Sequence, residues 1–191
     1  KKNNPLLIGE PASGKSQLIQ SVKQGLRAQL LPKEKRLLKA NSGWHFFDHG
    51  VVIESAAEQL NDTLEQLNWY RPERALDKII LCISATSLLN PDTPAAIEEL
   101  GEQLFQQLWK TQKNTGFILP VYIFVTQCDQ IEGFSAFWQA QGKEVQQQMI
   151  GWSNPYRLDT AFNLEWLNEA FEQLLSSLQR AQLQVASGGE A

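Results

Sequence analysis

Eight consecutive residues near the start of this chain match a loop that binds a charged ligand. They are Gly9, Glu10, Pro11, Ala12, Ser13, Gly14, Lys15 and Ser16. The two glycines, the lysine and the final serine occupy the fixed positions of a loop that binds phosphate groups. In such a loop backbone N–H groups surround a phosphate, Lys15 contacts the β- and γ-phosphates, and the Ser16 hydroxyl binds Mg²⁺. The pattern therefore predicts a site for GTP or ATP with Mg²⁺.

The sequence on either side of this loop predicts the elements that position it. An apolar run at residues 5–8 predicts a short buried strand, and residues 17–22 predict the opening of a helix. The N-terminus of that helix adds the positive end of its dipole to the phosphate site. The alternative, a glycine-rich turn that binds nothing, is disfavoured by this strand-to-helix setting.

Strand and helix patterns alternate along the rest of the chain. Residues 44–47 and 51–54 predict two short strands joined by a turn at Asp48-His49-Gly50. Residues 79–84 and 118–125 predict two further strands. Helices are predicted over four more segments, 55–70, 93–112, 134–149 and 163–185.

This order of elements predicts the fold class. We expect an α/β, three-layer, P-loop GTPase-like fold whose sheet is mostly parallel with one antiparallel hairpin strand. The fold is expected to form one domain over residues 1–186, with a flexible tail over residues 187–191. The final helix carries apolar residues at helical spacing, and we interpret that stripe as core packing rather than as a groove for a partner.

A second carboxylate at the end of a neighbouring strand usually completes the magnesium site of a P-loop protein. Glu54, which follows the apolar residues 51–53, is the matching residue. The alternative is an ordinary carboxylate at a strand end. Gln59 lies shortly after it and is the candidate for orienting an attacking water, so Lys15, Glu54 and Gln59 are the catalytic candidates. Since no arginine that would neutralise the transferring phosphoryl group is identifiable, we expect at most a weak NTPase.

The residues after the strand at 118–125 suit contact with a nucleotide base. Thr126-Gln127-Cys128-Asp129 stands where GTPases carry Asn/Thr-Lys-x-Asp. An aspartate there accepts two hydrogen bonds from guanine, and adenine offers no matching pair of donors. Asp129 therefore favours guanine. Gln127 replaces the lysine that packs over the base and ties this segment to the phosphate loop, which weakens the expected affinity and selectivity.

Composition limits the remaining possibilities. The 191 residues suit one α/β domain, and the net charge of −4 argues against a nucleic-acid partner. The basic cluster at 33–39 is interpreted as a solvated loop rather than a lipid or phosphate patch. Cys82 and Cys128 are expected to be reduced, buried thiols of a cytosolic protein.

The chain lacks the patterns of membrane insertion and export. The longest apolar run, residues 117–125, is broken by Pro120 and is far shorter than the ~20 residues of a membrane helix. The first residues do not form a signal peptide. We expect a domain cut from a longer protein, the alternative being a small natural protein with short tails.

Four stretches of the chain carry a family resemblance: 7–16, 44–54, 83–89, and 119–129 followed by Gly133-Phe134. A fifth, weaker match is Gly151-Trp152, so the resemblance extends from Leu7 to about Pro155. Together these stretches resemble the cytoplasmic nucleotidase domain of the TssM/IcmF family, large inner-membrane proteins of type VI and related type IVB secretion systems.

The resemblance implies a domain at the cytoplasmic face of the bacterial inner membrane, between transmembrane helices, with a DotU/TssL-type partner and other secretion-complex components. The family commonly has Asp-Thr-Ala-Gly where this chain has Glu54-Ser55-Ala56-Ala57, and Thr-Lys-Cys-Asp where it has 126–129. Its usual Thr-Arg-x-Cys-Asp before Trp44 is missing. These departures imply a domain that binds nucleotide better than it hydrolyses it.

Three functions follow as hypotheses. The first is a nucleotide-regulated component of a secretion-system membrane complex, in which nucleotide stabilises one arrangement of the segments after Lys39 and Glu54. The second is a constitutive protein-docking scaffold with a vestigial nucleotide site. The third is an autonomous small GTPase.

Overall fold

The structure is a computed structural model that describes residues 3–25, 43–47, 50–89, 94–146, 150–157 and 159–187. The basic cluster at 33–39, the segment just after Lys39 and the Asp48-His49 turn lie outside these residues. The chain divides into two compact units, Lys1–Gln127 and Cys128–Ala191, which are described separately.

The first unit contains a five-stranded sheet in the order β2-β3-β1-β4-β5. β1 pairs in parallel with both β3 and β4, β4 pairs in parallel with β5, and β2 is antiparallel to β3. The expected mostly parallel α/β sheet with one antiparallel pair is thus confirmed. The strands are β1 (Pro5–Gly9), β2 (Trp44–Phe47), β3 (Gly50–Glu54), β4 (Lys78–Ser84) and β5 (Val121–Thr126).

Helices cover both faces of this sheet because the side chains of a central strand alternate between faces. Leu6 and Ile8 of β1 join one buried cluster, to which α2 and α4 contribute. Leu7, between them, joins a second cluster with Ile19 of α1. The helices of this unit are α1 (Lys15–Gly25), α2 (Leu60–Tyr70), α3 (Ala85–Leu89) and α4 (Pro94–Thr115).

Several element bounds in this unit differ from the sequence-based expectation: β5 begins at Val121 rather than at 118, and α4 ends at Thr115 rather than at 112. α2 begins at Leu60 rather than at 55, because Ser55 continues the sheet pairing by donating its N–H to the Leu7 carbonyl. The short helix α3 was not predicted, since five residues hold too little periodicity to be detected.

The second unit is built from helices and irregular segments. After a 3-10 turn at Cys128–Gln130 come α5 (Phe134–Gln139), α6 (Lys143–Gln146) and α7 (Glu165–Ala186). The single helix expected over 134–149 is therefore wrong. The Gln146 amide donates to the carbonyls of Gln141 and Trp138, at 2.9 and 3.1 Å, and so satisfies the end of α5 where the helix breaks.

The apolar stripe of α7 is largely exposed. Leu167 and Phe171 are 56% and 65% exposed, and Ala181 is the buried residue of the helix. Core packing of this stripe, as predicted, is therefore not what the structure has. Helical periodicity establishes that a face is apolar but not which surface covers it. No helix in the described parts of either unit combines the length and apolarity needed to cross a membrane.

Asp77, just before β4, anchors the start of the sheet. Its Oδ2 accepts the Asn4 N–H at 2.9 Å and Arg71 Nη1 at 2.8 Å, and Oδ1 lies 3.1 Å from Arg74 Nε. Burial by itself raises the pKa of Asp77, but the hydrogen bonds from Arg71 and Asn4 and the charges of Arg71 and Arg74 outweigh it, so the pKa lies below its usual 3.8. The ionised Asp77 carboxylate therefore stabilises the folded state above pH 3.8, and this stabilisation is lost as the pH falls through the lower pKa of the folded state.

Replacing Asp77 by asparagine is expected to lower the free energy of unfolding at neutral pH by about 1 kcal/mol, because Arg71 is partly exposed and the ion pair is partly screened. Urea denaturation across a pH series measures it. The difference from the parent should shrink well below pH 3.8, and Glu73→Gln, an exposed acid in the same loop, is the control. A difference that is constant with pH would contradict a role for the carboxylate charge.

Candidate functional site

The polar residues of the candidate site collect at one edge of the sheet. β1, β3, β4 and β5 run parallel, so their carboxyl ends meet at that edge. The strands end at Gly9, Glu54, Ser84 and Thr126. Parallel sheets commonly bind ligands there. The register therefore brings the end of β3 beside the loop that follows β1.

The stretch Gly9–Ser16 forms a turn that leads from β1 directly into α1. Gly9 has φ +146°, and a Cβ there would overlap the Cys82 carbonyl oxygen. Gly14 has φ +73°, a left-handed conformation that glycine adopts at no steric cost. Lys15 Nζ donates to the Glu10 carbonyl at 2.6 Å and to Ser13 Oγ at 3.2 Å, so its ammonium group lies against the loop. The turn thus depends on two glycines and on the Lys15 ammonium group, which is hydrogen-bonded to the loop itself.

Ser16 and Glu54 are brought together as expected from the sequence. Ser16 Oγ donates to Glu54 Oε1 at 2.8 Å. A hydroxyl and a carboxylate are the oxygen ligands that suit Mg²⁺, directly or through water, so the residues present fit this ion. The sequence analysis missed His45, whose Nε2 lies 3.4 Å from Glu54 Oε2. His45 pairs with Val52 across the hairpin, and only the register of β2 and β3 reveals that it reaches Glu54.

The side chain of Gln127 contacts the loop at residues 9–16. Its Nε2 donates to the Ala12 carbonyl at 2.9 Å. Next to it, Thr126 Oγ1 donates to the Ser13 carbonyl at 2.6 Å. The amide of Gln127 thus joins this segment to the loop. The weaker affinity and selectivity expected from the replacement of the usual lysine stay a prediction.

The side chain of Glu10 faces the end of β4. Its Oε1 accepts the Ser84 N–H at 2.6 Å, and its Oε2 accepts Ser87 Oγ at 2.8 Å. Sequence reasoning treated Glu10 as an ordinary member of the loop. The one available signal was the hydroxyl-rich stretch 84–87 at the end of a buried strand.

The remaining predicted residues lie outside this group of contacts. Gln59 is exposed on the turn before α2, and its N–H donates to the Ala56 carbonyl; none of the described contacts joins its side chain to Lys15 or Glu54. Asp129 belongs to the second unit, where its carboxylate accepts Gln130 Nε2 at 2.7 Å. Pro11 is exposed in the loop.

Neither Cys82 nor Cys128 forms a disulfide. Cys82 is fully buried beneath the loop, and burial, opposed by the Lys15 charge, raises its pKa to about 11. Its thiol is therefore protonated and unreactive at neutral pH. Cys128 is half-buried rather than buried as expected, and burial together with the Asp129 charge raises its pKa.

Comparison with known proteins adds three findings. The IcmF-related N-terminal domain family matches residues 54–189, a region that begins after the loop at 9–16. The chain is 24% identical over 198 residues to the type VI secretion system component TssM1 of Pseudomonas aeruginosa, covering 92% of this chain and 17% of that protein. A crystal structure of sup35 complexed with GDP aligns with TM-score 0.25 and 13% identity, over 65% of this chain and 38% of that one. This last likeness is too low to support an argument.

Proposed function

Because this chain belongs to the family of IcmF-related N-terminal domains, we propose that it is the nucleotide-binding domain of a secretion-system protein similar to TssM. The domain binds GTP or ATP with Mg²⁺, hydrolyses it slowly and regulates assembly of a membrane complex. Its fold is P-loop GTPase-like, with residues 1–186 as one domain and 187–191 as a tail.

The observation that carries this proposal is the 2.8 Å contact between Ser16 Oγ and Glu54 Oε1 at the carboxyl edge of a parallel sheet. It joins the last residue of the phosphate loop to a carboxylate on the neighbouring strand. Ser16 and Glu54 would hold Mg²⁺, which when bound neutralises charge on the phosphate oxygens. Lys15 and the backbone of Gly9–Ser16 would hold the phosphates.

The cellular setting of the proposal comes from the family and from the relative named as a type VI secretion system component. The chain corresponds to 17% of that relative, so it is proposed as one domain of a longer inner-membrane protein. The domain faces the cytoplasm, and its partners are a DotU/TssL-type protein and other secretion-complex components.

A docking scaffold with a vestigial nucleotide site is the second candidate. The exposed apolar stripe of α7 favours it, since such a stripe suits contact with another protein. A scaffold would bind its partners equally well with and without nucleotide, which separates it from the first proposal.

The test is calorimetric titration of the 191-residue chain with Mg-GTP and Mg-ATP. We expect saturable binding of both, with guanine preferred by a modest factor, because Asp129 is present and the usual lysine is not. No binding of either nucleotide would overturn the proposed function.

Asp129→Asn provides the matched variant for base recognition. An asparagine amide offers a donor to xanthine, which presents an acceptor where guanine has a donor, so the preference should shift from GTP toward XTP. Binding of ATP, which makes no such pair of hydrogen bonds, serves as the control. If ATP displaces GTP by a wide margin in the parent, the role assigned to Asp129 is wrong.

A further inference from the structure

The phosphate loop of this chain contains an acidic side chain, Glu10. A carboxylate near a phosphate site repels an anionic ligand. Here both carboxylate oxygens are occupied, one by the Ser84 N–H at 2.6 Å and the other by Ser87 Oγ at 2.8 Å. Ser84 is 3% exposed. Glu10 is therefore fixed to the end of β4 by two charge-assisted hydrogen bonds, which are stronger than neutral ones.

The same serine continues the connection to Gln127. Ser84 Oγ donates to Gln127 Oε1, and Gln127 Nε2 donates to the Ala12 carbonyl at 2.9 Å. The path thus leaves the loop at Glu10, passes through Ser84 and Gln127, and returns to the loop at Ala12. Glutamine closes it because one amide both accepts and donates, whereas a lysine only donates.

The path returns to the loop at a strained position. Ala12 and Gln127, each with φ +57°, are the two non-glycine residues with positive φ in the described parts of the chain. Residues held in this left-handed region need support from their surroundings. The hydrogen bond between Gln127 Nε2 and the Ala12 carbonyl joins these two residues to each other.

A second hydrogen bond to the loop lies beside the one from Gln127. Thr126 Oγ1 donates to the Ser13 carbonyl at 2.6 Å. Because the C=O and N–H of a trans peptide point in opposite directions, fixing the Ser13 carbonyl on Thr126 turns the Gly14 N–H away from β5. The direction of a backbone donor in the phosphate loop is thus set by side chains outside the loop.

We propose that Glu10, Ser84 and Gln127 form a closed hydrogen-bonded ring that holds the phosphate loop in its binding conformation, with Glu10 as a positioning residue. This inference rests on the proposed nucleotide function and deepens it. In this ring Gln127 replaces the usual lysine without loss of loop geometry, and Glu10 aids the binding of an anion despite its own negative charge.

Two variants of Glu10 separate positioning from charge. Glu10→Ala breaks the ring and is expected to weaken Mg-GTP binding about tenfold, the effect of losing roughly one hydrogen bond's support. Glu10→Gln keeps the acceptor for the Ser84 N–H and a group that can pair with Ser87, so its affinity should stay near that of the parent. If both variants instead bind Mg-GTP more tightly, Glu10 acts only as a repelling charge and the ring proposal is overturned.

A double-mutant cycle tests whether the ring acts as a unit. Gln127→Ala alone is also expected to weaken binding about tenfold. The double variant Glu10→Ala with Gln127→Ala should weaken binding little more than either substitution alone, because each of them already breaks the ring. Additive losses in the double variant would overturn the proposal. Glu73→Ala removes an exposed acid in the same unit and is the control for net charge.

Hydrogen–deuterium exchange of the loop, measured without added nucleotide, separates this inference from the proposed function. Glu10→Ala and Gln127→Ala should both speed exchange of the amides at 9–16, while Glu10→Gln and Glu73→Ala should not. If exchange is unchanged in all four variants, the ring does not hold the loop. If exchange speeds up as expected but the parent binds no nucleotide, the ring does hold the loop conformation and only the proposed nucleotide binding is wrong.

Discussion

Replacing Lys15 by alanine is expected to weaken the binding of Mg-GTP and Mg-ATP about a hundredfold. The substitution removes the one side-chain cation of residues 9–16 and, with it, the charge-assisted contacts to the β- and γ-phosphates that the proposed function assigns to Lys15, which would be worth about 3 kcal/mol together. It also removes the hydrogen bonds from Nζ to the Glu10 carbonyl and to Ser13 Oγ, so the loop loses an internal support. Isothermal titration calorimetry of parent and variant measures the change.

Lys110→Ala is the matched control for this substitution. Lys110 is an exposed residue of α4 and carries the same charge. Its loss should leave nucleotide affinity unchanged, and both variants should unfold close to the temperature of the parent. Equal affinity of Lys15→Ala and the parent would remove the assignment of Gly9–Ser16 as a phosphate site.

Turnover by the isolated chain is expected to be far slower than nucleotide exchange. Glu54 and Ala57 stand where the family resemblance implies aspartate and glycine, and no arginine in the sequence is identifiable as a group that neutralises the transferring phosphoryl. An arginine finger contributes about 10³ to 10⁵ in rate, so its absence outweighs any contribution from Gln59. Gln59 itself is exposed on the turn before α2.

A single-turnover assay, run beside release of a fluorescent nucleotide, compares the two rates directly. Because Gln59 is the candidate for orienting the attacking water, residual hydrolysis should disappear in Gln59→Ala. It should persist in Gln103→Ala, which replaces an exposed glutamine of α4. Hydrolysis at several turnovers per second without a partner would show that a catalytic group has been overlooked.

The sheet was predictable because its strands are nearly pure apolar runs. Residues of β1 and β4 alternate between two buried clusters, and the hairpin of β2 and β3 follows from two short apolar runs separated by a turn. Once β1 and β3 are parallel neighbours, the approach of Glu54 to Ser16 follows from the register Leu7↔Glu54. This part of the candidate site was therefore implied by the pattern.

The contacts of Glu10, His45 and Gln127 were not predictable in the same way. Each depends on where a polar side chain points after the strands have paired, and no periodicity in the sequence encodes that direction. The break after α5 has the same origin, since it is satisfied by the amide of Gln146 rather than by a proline. The apolar stripe of α7 was identified, but its exposure was not, because amphipathicity does not name the surface that covers it.

Gly9 sets how closely β1 can approach β4. It is both the last residue of β1 and the first of the phosphate loop, and it faces the backbone of Cys82 on the neighbouring strand. A methyl group at this position would overlap the backbone of Cys82 and force β1 and β4 apart. The fold and the proposed ligand site thus depend on the same close approach, since that methyl carbon would lie 2.1 Å from the Cys82 carbonyl oxygen. A loss of affinity in Gly9→Ala would report the spacing of two strands and not the strength of a phosphate contact.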